Sequence, residues 1–145
     1  MTDPEREARR RGLARRALAR RAGAALDATA VASAASRAYD DLAHVLVPVI
    51  GDVGVAAMTG RAVHLTAREY AWLSSGAPGP AGTTFTQVIA VLQRQDDPAV
   101  AAAAAAAVLA AIIVLLATFI GEPLAARLVQ QAWPDAVSST DTEET

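Results

Sequence analysis

Between Pro98 and Gly121 the chain carries no charged residue. Seven consecutive alanines, Ala101 to Ala107, lead into Val-Leu-Ala-Ala-Ile-Ile-Val-Leu-Leu-Ala-Thr-Phe-Ile. A helix with no polar face cannot lie on a protein surface, so this segment needs either a core or a bilayer around it. Its ends are marked. Asp97 suits the N-cap, Pro98 the first helical position, and Gly121 the position after the last turn. The helix over 98–120 spans about 33 Å at 1.5 Å per residue.

Length and neutrality argue for lipid. A span needs about 20 mainly apolar residues. The ten Val, Leu, Ile and Phe residues here favour insertion by roughly 3 to 6 kcal/mol. The surroundings argue for a core. The alanine half gains little in hydrocarbon but lets neighbouring helices approach closely. No tyrosine or tryptophan marks either end as an interfacial belt. Flanking charges cancel, Arg94 against Asp96 and Asp97, Arg127 against Glu122. Three other segments have apolar faces that need a partner, and a helix apolar all round is what the centre of a small bundle requires. We therefore expect a core helix, with a single membrane span as the alternative.

The other segments read as follows. Residues 38–50 place Leu42, Val45, Leu46 and Val49 at i, i+3, i+4, i+7; Pro48 kinks or shortens that helix and Gly51 stops it. Residues 53–73 carry a stripe of Val55, Met58, Ala62, Leu65 and Trp72, with Glu69 at the one missing position. That carboxylate belongs at the exposed end of the stripe, or in an ion pair with an arginine such as Arg94. Residues 74–83, rich in Ser, Gly and Pro, form a loop. Thr84 and Gln87 fit a capping box that opens a short helix with Phe85, Val88, Ile89 and Leu92 on one face, ending near Gln95. Pro123 starts a last helix with Leu124, Leu128, Val129 and Ala132 in its stripe, stopping at Trp133-Pro134. No strand pattern of convincing length appears.

Charge is segregated. Nine of the thirteen arginines fall in the first 37 residues, and four acids with no base follow Trp133. Residues 5–37 are strong helix formers, but their apolar side chains are small, so burial offers little. Residues 1–37 are expected as a disordered basic Ala/Arg-rich arm, residues 38–134 as the helical bundle, and residues 135–145 as a disordered acidic tail. The fold class expected is all-α, a small bundle of four or five helices. The Ala/Arg bias, with no lysine or asparagine, is that of a GC-rich bacterial genome. With no cysteine, disulfides, thiol catalysis and thiolate metal sites are excluded.

No constellation carries chemistry. Asp40, Asp41, His44, His64 and Glu69 could be assembled into a metal or acid–base site on paper, but their spacings match no ligand pattern; Asp40-His44 reads as an i,i+4 surface pair. The loop Gly76 to Thr84 has the glycines of a phosphate loop, but Thr83 stands where its lysine would be. No nucleophile stands beside a base. We expect no catalytic, cofactor-binding or metal residue, and no cofactor.

Two stretches resemble known families. Gly60-Arg-Ala-Val-His-Leu-Thr-Ala-Arg-Glu-Tyr-Ala-Trp-Leu73 resembles the start of the winged-helix domain of response regulators, which implies a strand before the Leu-Thr and DNA binding after it. Binding would need a basic recognition helix; Thr86 to Gln95 has a single arginine. The second likeness covers Tyr39 to Leu73, with LVPVIGDVG, and Ala117 to Asp135, ATFIGEPLAARLVQQAWPD. These are similar to a group of small bacterial helical proteins of unknown function, with an FIGE-x-L-x-x-RL-x-x-x-WPD ending. That resemblance implies a cytoplasmic bundle and no activity. The function expected is a non-enzymatic, cytoplasmic interaction or accessory protein that offers a helical surface to a protein partner or a second copy. The alternative is a single-pass inner-membrane protein spanning at about 99–120. A DNA-binding winged-helix-like role is the third reading, and nucleic acid is not the partner expected.

Overall fold

The computed structural model describes residues 4–22, 27–74, 85–134 and 136. Five helices follow in order: α1 (Pro4–Ala22), α2 (Ala28–Thr66), α3 (Phe85–Gln93), α4 (Pro98–Ile120) and α5 (Glu122–Ala132). A 3₁₀ turn, Ala71–Ser74, stands between α2 and α3. Among the described residues there is no strand.

The continuous helix α2 hides a chain reversal. In a straight helix Tyr39 and Thr59 would lie about 30 Å apart. Their hydroxyl oxygens are 2.8 Å apart. The chain turns back between them at Gly51, whose φ of 80° and ψ of 165° lie outside the helical region. Thus α2 is a helical hairpin with arms over 28–50 and 52–66. Pro48 has no N–H for the carbonyl four residues before it, which weakens the first arm just ahead of the turn. Gly51 then adopts a backbone region open essentially to glycine alone. A Cβ there would meet no atom within 4 Å, so conformation, not space, demands glycine.

Polar bonds tie the arms. Thr59 Oγ1 donates its one proton to the Val55 carbonyl at 2.8 Å. The Tyr39 hydroxyl is therefore the donor to Thr59. The Tyr39 ring stacks on Phe85 of α3, with centroids 4.2 Å apart and planes 6° apart. That contact holds α3 to the hairpin. The second arm ends earlier than the sequence predicts: Thr66 is its last residue, and residues 67–70 turn before the 3₁₀ segment.

The apolar helix α4 has the predicted ends. The Asp97 carboxylate accepts from the Ala99 N–H at 2.9 Å, Pro98 opens the helix, and Gly121 follows it with φ 96°. Twelve of its 23 residues are buried, the alanines Ala104 to Ala107 and the larger Val108, Leu109, Ile112 and Leu116 among them. It packs on α1, both arms of α2, and α5.

The disordered arm expected over residues 1–37 is not what the structure has. Residues 4–22 are α1, and residues 28–37 are the opening turns of α2, with Val31, Ala32, Ala34 and Ala35 buried. Ala14, Ala17 and Leu18 of α1 join the common core. The physical reason is close approach. Two alanine-rich helix faces bury little area per residue, but they let backbones come near enough for dense dispersion contact. Residues 1–3 and 23–26 lie outside the described residues.

The last helix closes the bundle. Leu128, Val129 and Ala132 face the core, while Leu124, expected in the same stripe, is 41% exposed. Trp133 is fully buried and its Nε1 donates to the Ala38 carbonyl at 3.0 Å. At the other end of α5, Glu122 pairs with Arg10 of α1. Ala136 is buried too; the rest of the acidic tail, residues 135 and 137–145, lies outside the described residues.

Candidate functional site

A small cleft opens where α1, the second arm of α2 and α4 meet. Its volume is about 160 Å³. Ala107, Ala110 and Ala111 of α4 form an apolar floor, and Glu7, Arg11 and Glu69 form a charged rim. The floor follows from the alanine run, whose short side chains leave a notch between bulkier neighbours. Drug-sized ligands occupy pockets of about 300–1,000 Å³, so the notch suits one side chain and not a cofactor.

The rim is a fork. Arg11 Nη1 and Nη2 donate to the two carboxylate oxygens of Glu69 at 3.1 and 3.0 Å. The second nitrogen also reaches Glu7 at 3.4 Å. The Arg11 bond holds the Glu69 carboxyl below the usual carboxylate range. Glu69 in turn holds the guanidinium above its ordinary value. Burial, and then the Glu69 charge, push the neighbouring Tyr70 phenol up. At neutral pH the rim of the cleft therefore presents a committed ion pair, and the phenol of the residue next to Glu69 stays protonated. A carboxylate locked in this way is a poor proton shuttle.

Half of the Glu69 side chain is exposed, so the pair contributes under about 1 kcal/mol. The sign follows from the lowered carboxyl. The contribution is complete above the unfolded-state value of about 4.3 and is lost as pH falls through the lower folded-state value. Thermal melts of the native chain and Glu69→Gln will differ by a small constant gap near neutrality, and the gap will close in acid. A gap that widened as pH fell would contradict the pairing.

The residues weighed in the sequence scatter. Asp41 accepts from Arg21 Nε and Nη2 at 3.0 and 2.6 Å. Asp40, His44 and His64 are exposed on α2. Glu69 is exposed in the turn after α2, as favoured for it; it also pairs with Arg11, whereas Arg94, offered as an example of an alternative partner, donates to the carbonyl of Ala90 on its own helix. Among the described residues no three of His, Asp and Glu gather as metal ligands. The loop Gly76 to Thr84 and the Thr84 cap lie outside the described residues. The strand implied by the winged-helix likeness is helix: residues 60–66 are the end of the second arm of α2. The residues behind the FIGE…WPD likeness serve packing, Glu122 through Arg10, Leu128 and Trp133 through burial.

Sequence reasoning missed the most exposed apolar surface. None of residues 47–54, at the tip of the α2 hairpin, is buried. Val49 is 46% exposed and Val53 84%, with Asp52 between them. A second exposed pair, Phe119 at 72% and Leu124 at 41%, marks the α4–α5 corner. The signal for the tip was Pro48 beside Gly51, which projects a turn out of a bundle instead of continuing a buried stripe.

Comparison with known proteins leaves this geometry to be read unaided: no family model matches the chain, and neither a curated protein nor a solved structure does.

Proposed function

We propose that this chain is a non-enzymatic, cytoplasmic helical interaction protein, and that the tip of the α2 hairpin meets a protein partner. The observation that carries this reading is the exposure of Val49 and Val53 on a projecting turn with no buried residue. Apolar side chains held in water at the tip of a hairpin favour burial against another surface. Asp52 at the apex is unfavourable against anionic lipid, and can accept a hydrogen bond from a protein partner. The test is a photo-crosslinking residue at position 53 in the intact cell, with the exposed Ala19 of α1 as the control position. One discrete adduct from position 53, lost when Val49→Asp is added, supports the reading. Equal labelling from both positions, or none from 53, overturns it.

A second reading has its own observation. Helix α4 is 23 residues long and its most apolar 18-residue stretch has a mean hydropathy of 2.8; that of α2 reaches 1.7. This supports a single-pass inner-membrane protein with α4 in the bilayer and the arginine-rich α1 on the cytoplasmic side. Against it, 61% of the most apolar stretch of α4 is buried among the chain's own helices. Withdrawing α4 would leave Ala14, Leu42 and Trp133 without the core they share with it. Extraction at alkaline pH without detergent separates the two. Release into the supernatant supports the cytoplasmic reading, and retention in the membrane pellet replaces it with the second.

A further inference from the structure

Two glycines at the tip of α2 serve the hairpin and would not be needed in a straight helix. Gly51 alone between Ala28 and Thr66 leaves the helical φ and ψ, for a region that side chains avoid. A Cβ at Gly54 would stand 3.2 Å from the Cβ of Ile50, where a straight helix holds residues four apart at about 5–6 Å. Gly51 thus meets a demand of conformation and Gly54 a demand of space. The two arms are joined by a single residue. With helical angles at Gly51, α2 becomes one rod of 39 residues. The backbone groups that the reversal leaves to water then regain partners one turn away. Pro48 lies within helix in either state, so its cost cancels.

Nothing packed at the tip resists that change, since none of residues 47–54 is buried. What resists is packing across the hinge. Before it lie α1 and the first arm; after it lie the second arm, α3, α4 and α5. Arg11–Glu69, Arg10–Glu122, Tyr39–Phe85 and Trp133–Ala38 each join one side to the other. A straightened chain cannot make these contacts with itself. Two straightened chains can make all of them with each other.

We propose that α2 is a hinge for exchange between two copies of this chain. In the exchanged dimer, α1 and the first arm of each copy pack on the second arm, α3, α4 and α5 of the other. Each cleft takes Glu7 and Arg11 from one chain, and Glu69 with the alanine floor from its partner. Val49 and Val53, four apart on the straight helix, share one face and lie next to the two-fold axis, where their copies also fall. The projecting turn exists only in the single chain, so exchange withdraws the tip from any other partner. The hinge itself does not depend on what the tip meets.

The chain has no cysteine, so Arg11→Cys with Glu69→Cys gives one pair across the hinge for a bis-maleimide linker. Full-length chain is refolded at about millimolar concentration, the effective concentration that a short connection gives closure within one chain. It is then diluted and linked. Light scattering reads the native mass, and a denaturing gel reads whether the link joins one chain or two. The native hinge should give a minor two-chain band. Gly51→Ala should raise the dimerisation constant on the order of 100-fold, because alanine is disfavoured at the hairpin angles and favoured in a helix. Gly54→Ala should raise it too, by crowding Ile50. Inserting Gly-Ser-Gly after Gly51 should remove the dimer. A dimer whose links stay within one chain is a side-by-side contact and overturns the proposal. So does a single-chain mass for both alanine variants with native helical content. If the alanine variants fail to fold, absence of the two-chain band from the native hinge overturns it by itself.

Discussion

Leu109→Arg abolishes cooperative folding, whereas Phe119→Arg in the same helix leaves stability within about 0.5 kcal/mol of the native chain. Leu109 is fully buried in the middle of α4, among residues contributed by α1, α2 and α5. A guanidinium at that position has no carboxylate within its own turn and no route to water. An unpaired buried charge is among the few changes that cost more than about 4–5 kcal/mol. A domain of this size has about 5–15 kcal/mol in total, and alanine-rich contacts place this one toward the lower part of that range. Phe119 is 72% exposed, and a charge there stays solvated. Far-ultraviolet dichroism during thermal melting checks the pair. Equal effects at the two positions would mean that the burial pattern along α4 is wrong.

Trp133→Ala lowers stability by about 3–5 kcal/mol, the range for emptying a large buried aromatic site. Trp133→Phe lowers it by about 1–3 kcal/mol, chiefly through loss of the indole donor to the Ala38 carbonyl. The residue ends α5 and binds the first arm of α2 through that bond. Arg21 reinforces the same junction. Its guanidinium donates to Asp41 of α2 at 2.6 Å and to the Ala132 carbonyl of α5 at 3.4 Å. Removing the indole takes away the bond between the end of α5 and the first arm of α2 and leaves the Arg21 contacts to hold the junction. Urea titrations followed by dichroism should give midpoints in the order native, Phe, Ala. Trp72 remains as a fluorescent reporter in both variants. A Trp133→Ala midpoint equal to the native one would show that α5 docks by other means.

Particular residues explain what could be foreseen. The limits of α4 were legible because capping is local chemistry: Asp97 meets the N–H of Ala99 two residues away, and Gly121 takes a positive φ where the helix stops. The reversal in α2 was half legible. Pro48 and Gly51 announced a break, and Leu42 and Leu46 are buried as their spacing predicts. Val49 obeys the same spacing but is exposed, because the arms diverge from the core at their tip. Periodicity tells which side a residue faces, not how far along a helix its neighbours continue.

The candidate cleft was not legible. Arg11 and Glu69 are 58 positions apart, and nothing local marks one as the other's partner. Arg94 was the nearer choice only along the chain. Helix α1 was misjudged for a related reason. Ala14 and Ala17 look like weak burial until α4 presents an alanine surface against which backbones can close.

From the order of residues came the all-helical class, the limits of α4 and its apolar character, since each rests on propensities, caps and spacings within a turn or two. The arginine that answers Glu69, the docking of α1 and the projection of the hairpin tip came only with three-dimensional packing. Each depends on distances between segments remote in the chain, which short-range chemistry does not encode.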